Sequence, residues 1–233
     1  NNTSLILSGN HQFTSGVLTN IDSSAIAVDG GVQFGASEIA ATAFTNTTLH
    51  GGNQFHADGA GSLLDLSSLL QYEDTLNNSG TRTVLASNGG VVDLSNLGSV
   101  TRNAGARLQF RAVTGGEVKL DSLATIVIDS NGGPGSVNFD VADGGTINAP
   151  LLTSLNGLNV TLSGNHAFSP GAITDIDNVQ IFLRNGAQFG DSEIVASKFT
   201  NETFVGTGAG SSPQFFADGP GTLLDLSSLT DYE

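Results

Sequence analysis

Two carboxylates stand at matching places in successive copies of a short repeated pattern. Asp65 follows GSLL at 61–64, and Asp93 follows GGVV at 89–92. If the copies stack, both side chains lie on one outward face, where a carboxylate pair could bind Ca²⁺ or serve as an acid and a base. Lys119 takes the same place in the next copy, so a solvated face with a compensating cation is the other interpretation. Asp65 and Asp93 are the candidate metal ligands, and no other cofactor is expected.

A second charged pair is expected on the strands that precede these copies. Arg111 and Asp140 occupy equivalent places in two alternating patterns and should be neighbours, with Arg82, Arg102 and Arg107 in nearby turns. Enzymes that cleave acidic polysaccharides by elimination combine Ca²⁺-binding carboxylates with a basic side chain that abstracts a proton. Charge compensation on an acidic surface explains the same residues without chemistry, because the carboxylates of this sequence are spread along the chain.

Two histidines recur at the same place in two distant copies. His11 and His166 are 155 residues apart and align with aliphatic residues such as Ile147 in other copies. We expect a buried, hydrogen-bonded histidine there, because a metal site needs a second His, an Asp or a Cys beside it. His50 and His56 fall in a different copy.

Asp-Gly dipeptides recur at Asp29, Asp58, Asp143 and Asp218. They invite comparison with calcium-binding β-rolls, but the nine-residue period of those repeats is missing. Asp and Gly are also the usual turn formers. Calcium in stacked turns stays an alternative, since acidic turns on adjacent rungs repel each other without a cation.

The spacing of the pattern indicates how such residues are positioned. Leu66, Leu94, Leu120 and Ala149 mark four copies at intervals of 28, 26 and 29 residues. Regular spacing of this size is typical of stacked supersecondary units rather than of one globular core. Apolar and polar residues alternate within each copy, as in residues 108–112, which predicts strands.

Equivalent side chains are expected to form apolar columns inside the stack. Strands succeed each other at about 4.8 Å, and burial of one Leu or Phe contributes about 1.5–3 kcal/mol. A single copy could bury none of its column alone, so stability depends on neighbours. The predicted core ladder is Phe13, Phe34, Leu66, Leu94, Leu120, Phe168, Phe189 and Leu226, with Ala149 at the sixth place.

A longer period is superimposed on the short one. Residues 163–203 repeat residues 8–48 with 22 identities in 41 positions, and residues 214–233 repeat 54–73 with 15 in 20. A block of six coils is therefore duplicated at an offset of 155–160 residues, so that 8–73 matches 163–233. We predict one continuous, all-β parallel β-helix, or β-solenoid, of about nine coils over residues 1–233.

The repeated Gly-Gly-x-Val-x-Leu-x-x-Leu pattern, with DLSSL at 65–69 and DLSNL at 93–97, resembles the repetitive surface proteins of bacteria. In style it is similar to autotransporter passengers and to filamentous-haemagglutinin-like adhesins. The resemblance implies a right-handed β-helix, export to the cell surface, and a role in adhesion, fibres or matrix. It carries no functional residue onto this chain.

Composition narrows the classes of partner. Seven Lys and Arg against 22 Asp and Glu give a formal charge of −15, which would repel nucleic acid and anionic lipid. There is no Cys, so neither disulfides nor thiolate metal sites can form. No apolar run approaches the ~20 residues of a membrane span. The chain starts and stops within a repeat, so we expect a segment of a longer protein.

We therefore expect a non-enzymatic, structural or adhesive β-solenoid shaft of a secreted bacterial surface or filament-forming protein, located outside the cell. Its partners would be neighbouring repeats, other copies of itself or a surface polysaccharide. One alternative is a β-helix that binds or cleaves polysaccharide, with Asp65, Asp93, Lys119 and Arg111 as the residues to test. Another is a fibre subunit that stacks end to end, because exposed strand edges template further pairing.

Overall fold

The computed structural model describes residues 3–9, 13, 16–48, 51–76, 80–102, 107–128, 137–201 and 213–233. Over these residues the protein is all-β, with 23 strands and no helix. The predicted all-β class is thus confirmed. The strands are β1 (Ser4–Ser8), β2 (Ala25–Asp29), β3 (Gln33–Phe34), β4 (Ala43–Asn46), β5 (Gly52–Asp58), β6 (Leu63–Asp65), β7 (Gln71–Asp74), β8 (Thr81–Ser87), β9 (Val91–Asp93), β10 (Ser99–Arg102), β11 (Arg107–Val113), β12 (Glu117–Lys119), β13 (Thr125–Ile128), β14 (Val137–Ala142), β15 (Thr146–Ala149), β16 (Asn159–Ser163), β17 (Ala167–Pro170), β18 (Gln180–Arg184), β19 (Gln188–Phe189), β20 (Lys198–Phe199), β21 (Phe215–Asp218), β22 (Leu223–Leu224) and β23 (Asp231–Tyr232).

Three large sheets contain most of these strands. Sheet A has nine strands in the order β1-β2-β5-β8-β11-β14-β16-β18-β21. Sheet B has six in the order β17-β15-β12-β9-β6-β3, and sheet C has four in the order β13-β10-β7-β4. Two further pairs join β19 to β22 and β20 to β23. All pairings between the described strands are parallel, which confirms the predicted parallel sheets.

The chain visits the three sheets in a fixed order. Strands β5, β6 and β7 lie in sheets A, B and C, and the next three strands, β8, β9 and β10, do the same. We call such a group a strand triplet. Because β8 pairs with β5, β9 with β6 and β10 with β7, each triplet lies in register on its predecessor. Parallel strands need long crossovers, and the other two strands of the triplet supply them.

Alternation along each strand of sheet A divides it into a buried and an outward face. In β11, Leu108, Phe110 and Ala112 are buried, whereas Arg111 is exposed. The buried residues continue in register from strand to strand, which gives a column of large apolar side chains. The column is Leu5, Ile26, Phe55, Val84, Phe110, Phe139, Val160, Ile181 and Phe215.

The Gly-Gly pairs of the repeat serve two different purposes at the corner between sheets A and B. Asn88 and Gly89 have φ angles of 53° and 81°, so the first glycine continues a left-handed turn that most side chains disfavour. The second glycine, Gly90, lies against the backbone of Ala57, where a β-carbon would overlap the carbonyl group. The same close approach joins Gly116 to Ala86 and Gly145 to Ala112.

The core ladder differs from its predicted register in one respect. Leu66, Leu94 and Leu120 are fully buried and succeed one another from triplet to triplet. The amide of Leu66 donates to the backbone carbonyl of Asp93, and that of Leu94 donates to the backbone carbonyl of Lys119. Phe34, however, pairs with Leu64.

The phenylalanines of the predicted ladder therefore belong to a different inner column, the one that contains Leu64 and lies two residues before the column of Leu66. Phe168 likewise pairs with Ile147, and Phe189 with Leu224. The physical reason is that residues i and i+2 of a strand share a face, so alternation fits either register, while the distance from the corner glycine selects one. Phe13 keeps 37% of its surface exposed, and Leu226 is half-buried.

Candidate functional site

The predicted carboxylate pair is brought together on the outer face of sheet B. Asp65 is the register partner of Asp93, and Asp93 is that of Lys119. The Nζ atom of Lys119 lies 3.4 Å from Oδ2 of Asp93. Asp65 accepts hydrogen bonds from the amide and hydroxyl of Ser67, at 2.9 and 2.6 Å, and Asp93 accepts one from the amide of Ser95 at 3.0 Å. These carboxylates therefore close local turns and balance one lysine.

A larger ligand group does not form around this pair. Among the residues that the structure describes, there is no cluster of three or more His, Cys, Asp or Glu that could hold a metal ion. Calcium at Asp65 and Asp93 stays a prediction.

Arg111 and Asp140 are neighbours on the outer face of sheet A. They are register partners, with Arg111 Nε 3.0 Å from Asp140 Oδ2, and Gln109 donates to the same oxygen at 3.1 Å. Burial raises the pKa of the Asp140 carboxyl, and the charge of Arg111 opposes this. Arg82 and Arg102 do not join this pair, because their side chains are inside the protein.

The interior position of these arginines was missed by the sequence analysis. Arg82, Arg102 and Asp74 are fully buried, and Nε of Arg82 lies 3.2 Å from Oδ2 of Asp74. Nε of Arg102 lies 4.0 Å from the same oxygen. Asn46 donates a hydrogen bond of 3.3 Å to Oδ1 of Asp74. Alternation along the strands indicates this interior position. Residues i and i+2 of a strand share a face, and each of these polar residues follows a buried apolar residue by two places in sheet C. The pairs are Phe44 and Asn46, Tyr72 and Asp74, and Val100 and Arg102.

The carboxylate of Asp74 is shared by two guanidinium groups. Its Oδ2 atom faces Nε of both Arg82 and Arg102, and none of the three nitrogens of Arg102 has a hydrogen-bond partner among the described residues. Burial raises the pKa of the Asp74 carboxyl, and Arg82 and Arg102 offset only part of that effect. Burial likewise lowers the pKa of the Arg102 guanidinium. Because no atom of the cluster reaches solvent, it cannot meet a substrate, and its effect is on folding.

A tyrosine closes the same region of the interior. The hydroxyl of Tyr72 donates to Oε1 of Gln54, and both side chains are buried. Burial raises the pKa of Tyr72 well above its ordinary value. The duplicated block repeats the pair, since Tyr232 donates to Gln214 at 2.8 Å, but there Tyr232 keeps 64% of its surface exposed.

The Asp-Gly turns stack in part, as the aspartates at 29 and 58 show. These two residues are register partners at the end of sheet A. Asp29 accepts a hydrogen bond from Ser8 at 2.7 Å, and Asp58 accepts bonds from Ser87 at 2.6 Å and Asn88 at 2.7 Å. The Ser87 and Asn88 donors lower the pKa of the Asp58 carboxyl. Hydroxyl and amide groups therefore donate hydrogen bonds to the aspartate oxygens that are the alternative calcium ligands of these turns.

The histidine prediction needs correction at His166. It is half-buried rather than buried, and its Nδ1 lies 2.9 Å from the carbonyl oxygen of Gly164. Register places it beside Gly145 rather than beside Ile147, again because the corner sets the register. His56 is on the outer face of sheet A, and burial lowers its pKa, with Asp58 and Asp29 opposing. His11 and His50 lie outside the described residues.

A groove opens where sheet B is interrupted. Strands β17 and β19 belong to different sheets although they are neighbours in the stack. The groove between them has a volume of about 580 Å³ and is lined mainly by polar groups, including Asn165, His166, Gln188 and Glu193. A second groove of about 380 Å³ shares Gln188 and Glu193 with it and extends to Asp225. Sequence reasoning missed this feature, because a break in strand pairing leaves no mark in the repeat.

No helix long and apolar enough to cross a bilayer occurs among the described residues. Comparison with known proteins finds no matching family model, no matching curated protein and no matching solved structure.

Proposed function

We propose that this protein is a non-enzymatic β-solenoid shaft of about nine coils, right-handed, that works outside the cell in adhesion or in a filament. The observation that carries the proposal is the register of the strand triplets, in which three sheets share one buried core along the chain. A stack of this kind gains length with each added coil, while its cross-section stays constant.

The duplication of a six-coil block supports a role in reach. The first block contributes β1, β2, β5, β8, β11 and β14 to sheet A, and the second block begins again at β16. A single active site gives no reason to copy six coils, whereas a shaft becomes longer with every copy. An extracellular location agrees with the absence of Cys and with the small charged fraction of 12%.

The experiment is to lengthen the chain by one block. Insertion of a second copy of residues 8–162 should extend the particle by about 29 Å, which is six rungs of about 4.8 Å, with an unchanged cross-section. Small-angle X-ray scattering on both proteins measures the two dimensions separately. A particle that grows in cross-section but not in length would contradict the proposal.

A second candidate function is end-to-end self-association. It is favoured by the last strand triplet, β21 to β23, where Tyr232 keeps 64% of its surface exposed. The equivalent residues of earlier triplets, Phe44, Tyr72 and Val100, are buried, and the outer edge of β21 has no partner among the described strands. Concentration-dependent light scattering, with Tyr232→Lys as the variant, tests whether this surface binds a second copy. Equal particle mass at all concentrations would contradict it.

A further inference from the structure

The interruption of sheet B creates a surface that the shaft itself does not require. Strand β15 pairs with β17, and β19 pairs with β22, but β17 and β19 do not pair with each other. The two coils remain joined through β16 and β18 in sheet A and through the bridge between Ile173 and Ile194. The facing edges of β17 and β19 are therefore opened without loss of the stack.

A tight turn follows β19 and borders the groove. Gly190 has a φ of 116° and lies against the backbone of Asp225. The amide of Gly190 donates to Oε2 of Glu193 at 3.1 Å, which holds this turn closed. The groove is thus bordered by a turn that is itself fixed by packing and hydrogen bonding.

The side chains around the groove offer both donors and acceptors. Asn165 is exposed and makes no side-chain hydrogen bond with a described residue. Glu193 uses one oxygen for its turn, which leaves the other to accept. Nδ1 of His166 donates to Gly164, so the neutral ring keeps Nε2 as an acceptor. Phe168 and Phe189 lie beneath these polar groups as part of the core, with 6% and 4% of their surface exposed.

Several classes of ligand do not fit this lining. No Lys or Arg lines either groove, and a net charge of −15 disfavours an anionic ligand. The described residues contain no group of three metal-binding side chains. A peptide strand inserted between β17 and β19 would separate Phe168 from Phe189, whose rings are in contact with centroids 5.7 Å apart.

The shape of the two grooves suggests a linear ligand. They share Gln188, Phe189 and Glu193 and together extend over three successive triplets, from Asn165 to Asp225. Their long direction therefore follows the stack. The larger groove, at about 580 Å³, lies within the range of about 300–1,000 Å³ that is usual for ligand pockets.

We propose that this double groove is a binding site for a neutral, linear oligosaccharide. Sugar hydroxyls both donate and accept, and amides of the Asn165 and Gln188 type can serve both needs, while the carboxylate of Glu193 accepts strongly. The site deepens the adhesive part of the proposed function by giving the shaft a ligand class.

Isothermal titration calorimetry of the whole chain with cello-, xylo- and chito-hexasaccharides as neutral probes, and with a galacturonate hexasaccharide as an anionic probe, tests the site. Ala167 and Ser169 supply a matched pair, because both are exposed on the same face of β17 but only Ala167 lines the groove. We expect Ala167→Trp to abolish binding and Ser169→Trp to change it less than about twofold. Asn165→Ala should weaken binding about tenfold, the loss of one good hydrogen bond.

Binding of at least one neutral probe with this pattern of variants supports the site. The absence of binding to every neutral probe, tighter binding of the galacturonate, or full binding by Ala167→Trp would overturn it. Circular dichroism shows whether each variant is folded, and Asn165→Ala provides the answer if the tryptophan variant is not. Scattering on the same samples measures the shaft independently, so a rod that binds no sugar refutes the groove and leaves the shaft.

Discussion

Gly35 lies against the backbone of Asp65, so close that a β-carbon on Gly35 would overlap the carbonyl oxygen of Asp65. The duplicated block repeats the relationship between Gly190 and Asp225. In both places one triplet touches the next through bare backbone, and the glycines have φ angles of 121° and 116°.

Replacement of Gly35 by alanine should therefore destabilise the protein by about 2–4 kcal/mol, because it forces both overlap and an unfavourable φ. Urea unfolding followed by circular dichroism measures the change. Gly98→Ala is the control, since its φ is not left-handed and its nearest contact, Leu70 O, is at 3.7 Å. Equal unfolding midpoints for the two variants would show that the close approach is not required.

Substitutions of Asp74 and Arg102 in the buried cluster should change the free energy of unfolding in opposite directions. Asp74→Ala should cost about 3–5 kcal/mol, because the buried guanidinium groups of Arg82 and Arg102 lose the carboxylate that lies 3.2 and 4.0 Å from their Nε atoms. Arg102→Met should be neutral or stabilising by about 1–4 kcal/mol, because it removes a buried charge that lacks hydrogen bonds and keeps the volume. Chemical denaturation of both variants provides the comparison. Strong destabilisation by Arg102→Met would indicate that the guanidinium is better compensated than its contacts suggest.

Ser87 should control the ionisation of Asp58. Its hydroxyl donates to Asp58 at 2.6 Å and is the main cause of the lowered pKa of that carboxyl. Ser87→Ala should raise the pKa of Asp58 toward its ordinary value, as measured by carbon NMR during a pH titration. Ser169→Ala, an exposed serine remote from Asp58, should leave the titration unchanged.

The same variant predicts a pH dependence of stability. A carboxyl with a lowered pKa in the folded protein stabilises it above the unfolded pKa of about 3.9, and this contribution is lost as the pH falls through the folded value. The wild type should therefore be more stable than Ser87→Ala at neutral pH, and the part of the difference due to ionisation should vanish in acid. A difference that grows in acid would have the wrong sign.

Lys119 should matter through its charge. Lys119→Ala leaves the stacked carboxylates of Asp65 and Asp93 uncompensated, at a cost below about 1 kcal/mol because the lysine is 35% exposed. Added NaCl screens the remaining repulsion, so the variant should gain more stability from salt than the wild type does. Thermal unfolding at low and high salt tests this. Identical salt responses would mean that the carboxylates are already neutralised by other means.

Equivalent leucines should differ in importance according to their position in the stack. Leu94→Ala removes a side chain buried between two triplets and should cost about 2–5 kcal/mol. Leu226→Ala, in the half-buried last triplet, should cost less. Similar losses at the two sites, measured by urea unfolding, would contradict a stack in which each triplet is covered by the next.

Period and alternation predicted a large part of this architecture. They placed Asp65 beside Asp93 and Arg111 beside Asp140, and the strands are paired in that way. They failed for Phe34, because alternation alone cannot distinguish two registers that differ by two residues. The distance from the corner glycine decides between them, and it differs from the distance at Leu66.

The buried cluster and the groove were harder to foresee for separate reasons. Arg82 and Arg102 are charged, and charged residues are almost always solvated, so the alternation that placed Arg102 inside was outweighed by residue type. The groove depends on β17 and β19 not pairing, which is a relationship between two successive coils. A local pattern does not report such an effect between triplets.

The hydrogen bonds of sheet A have a mechanical consequence. In a parallel sheet they run from strand to strand, which here is the direction in which the triplets succeed one another. Tension applied in that direction loads one interface at a time and opens the triplets in sequence, whereas tension along the strands loads many bonds together. The protein should therefore resist a force along its strands far better than a force along the direction in which the triplets succeed one another. Under a force in the latter direction it should lengthen in steps of one triplet.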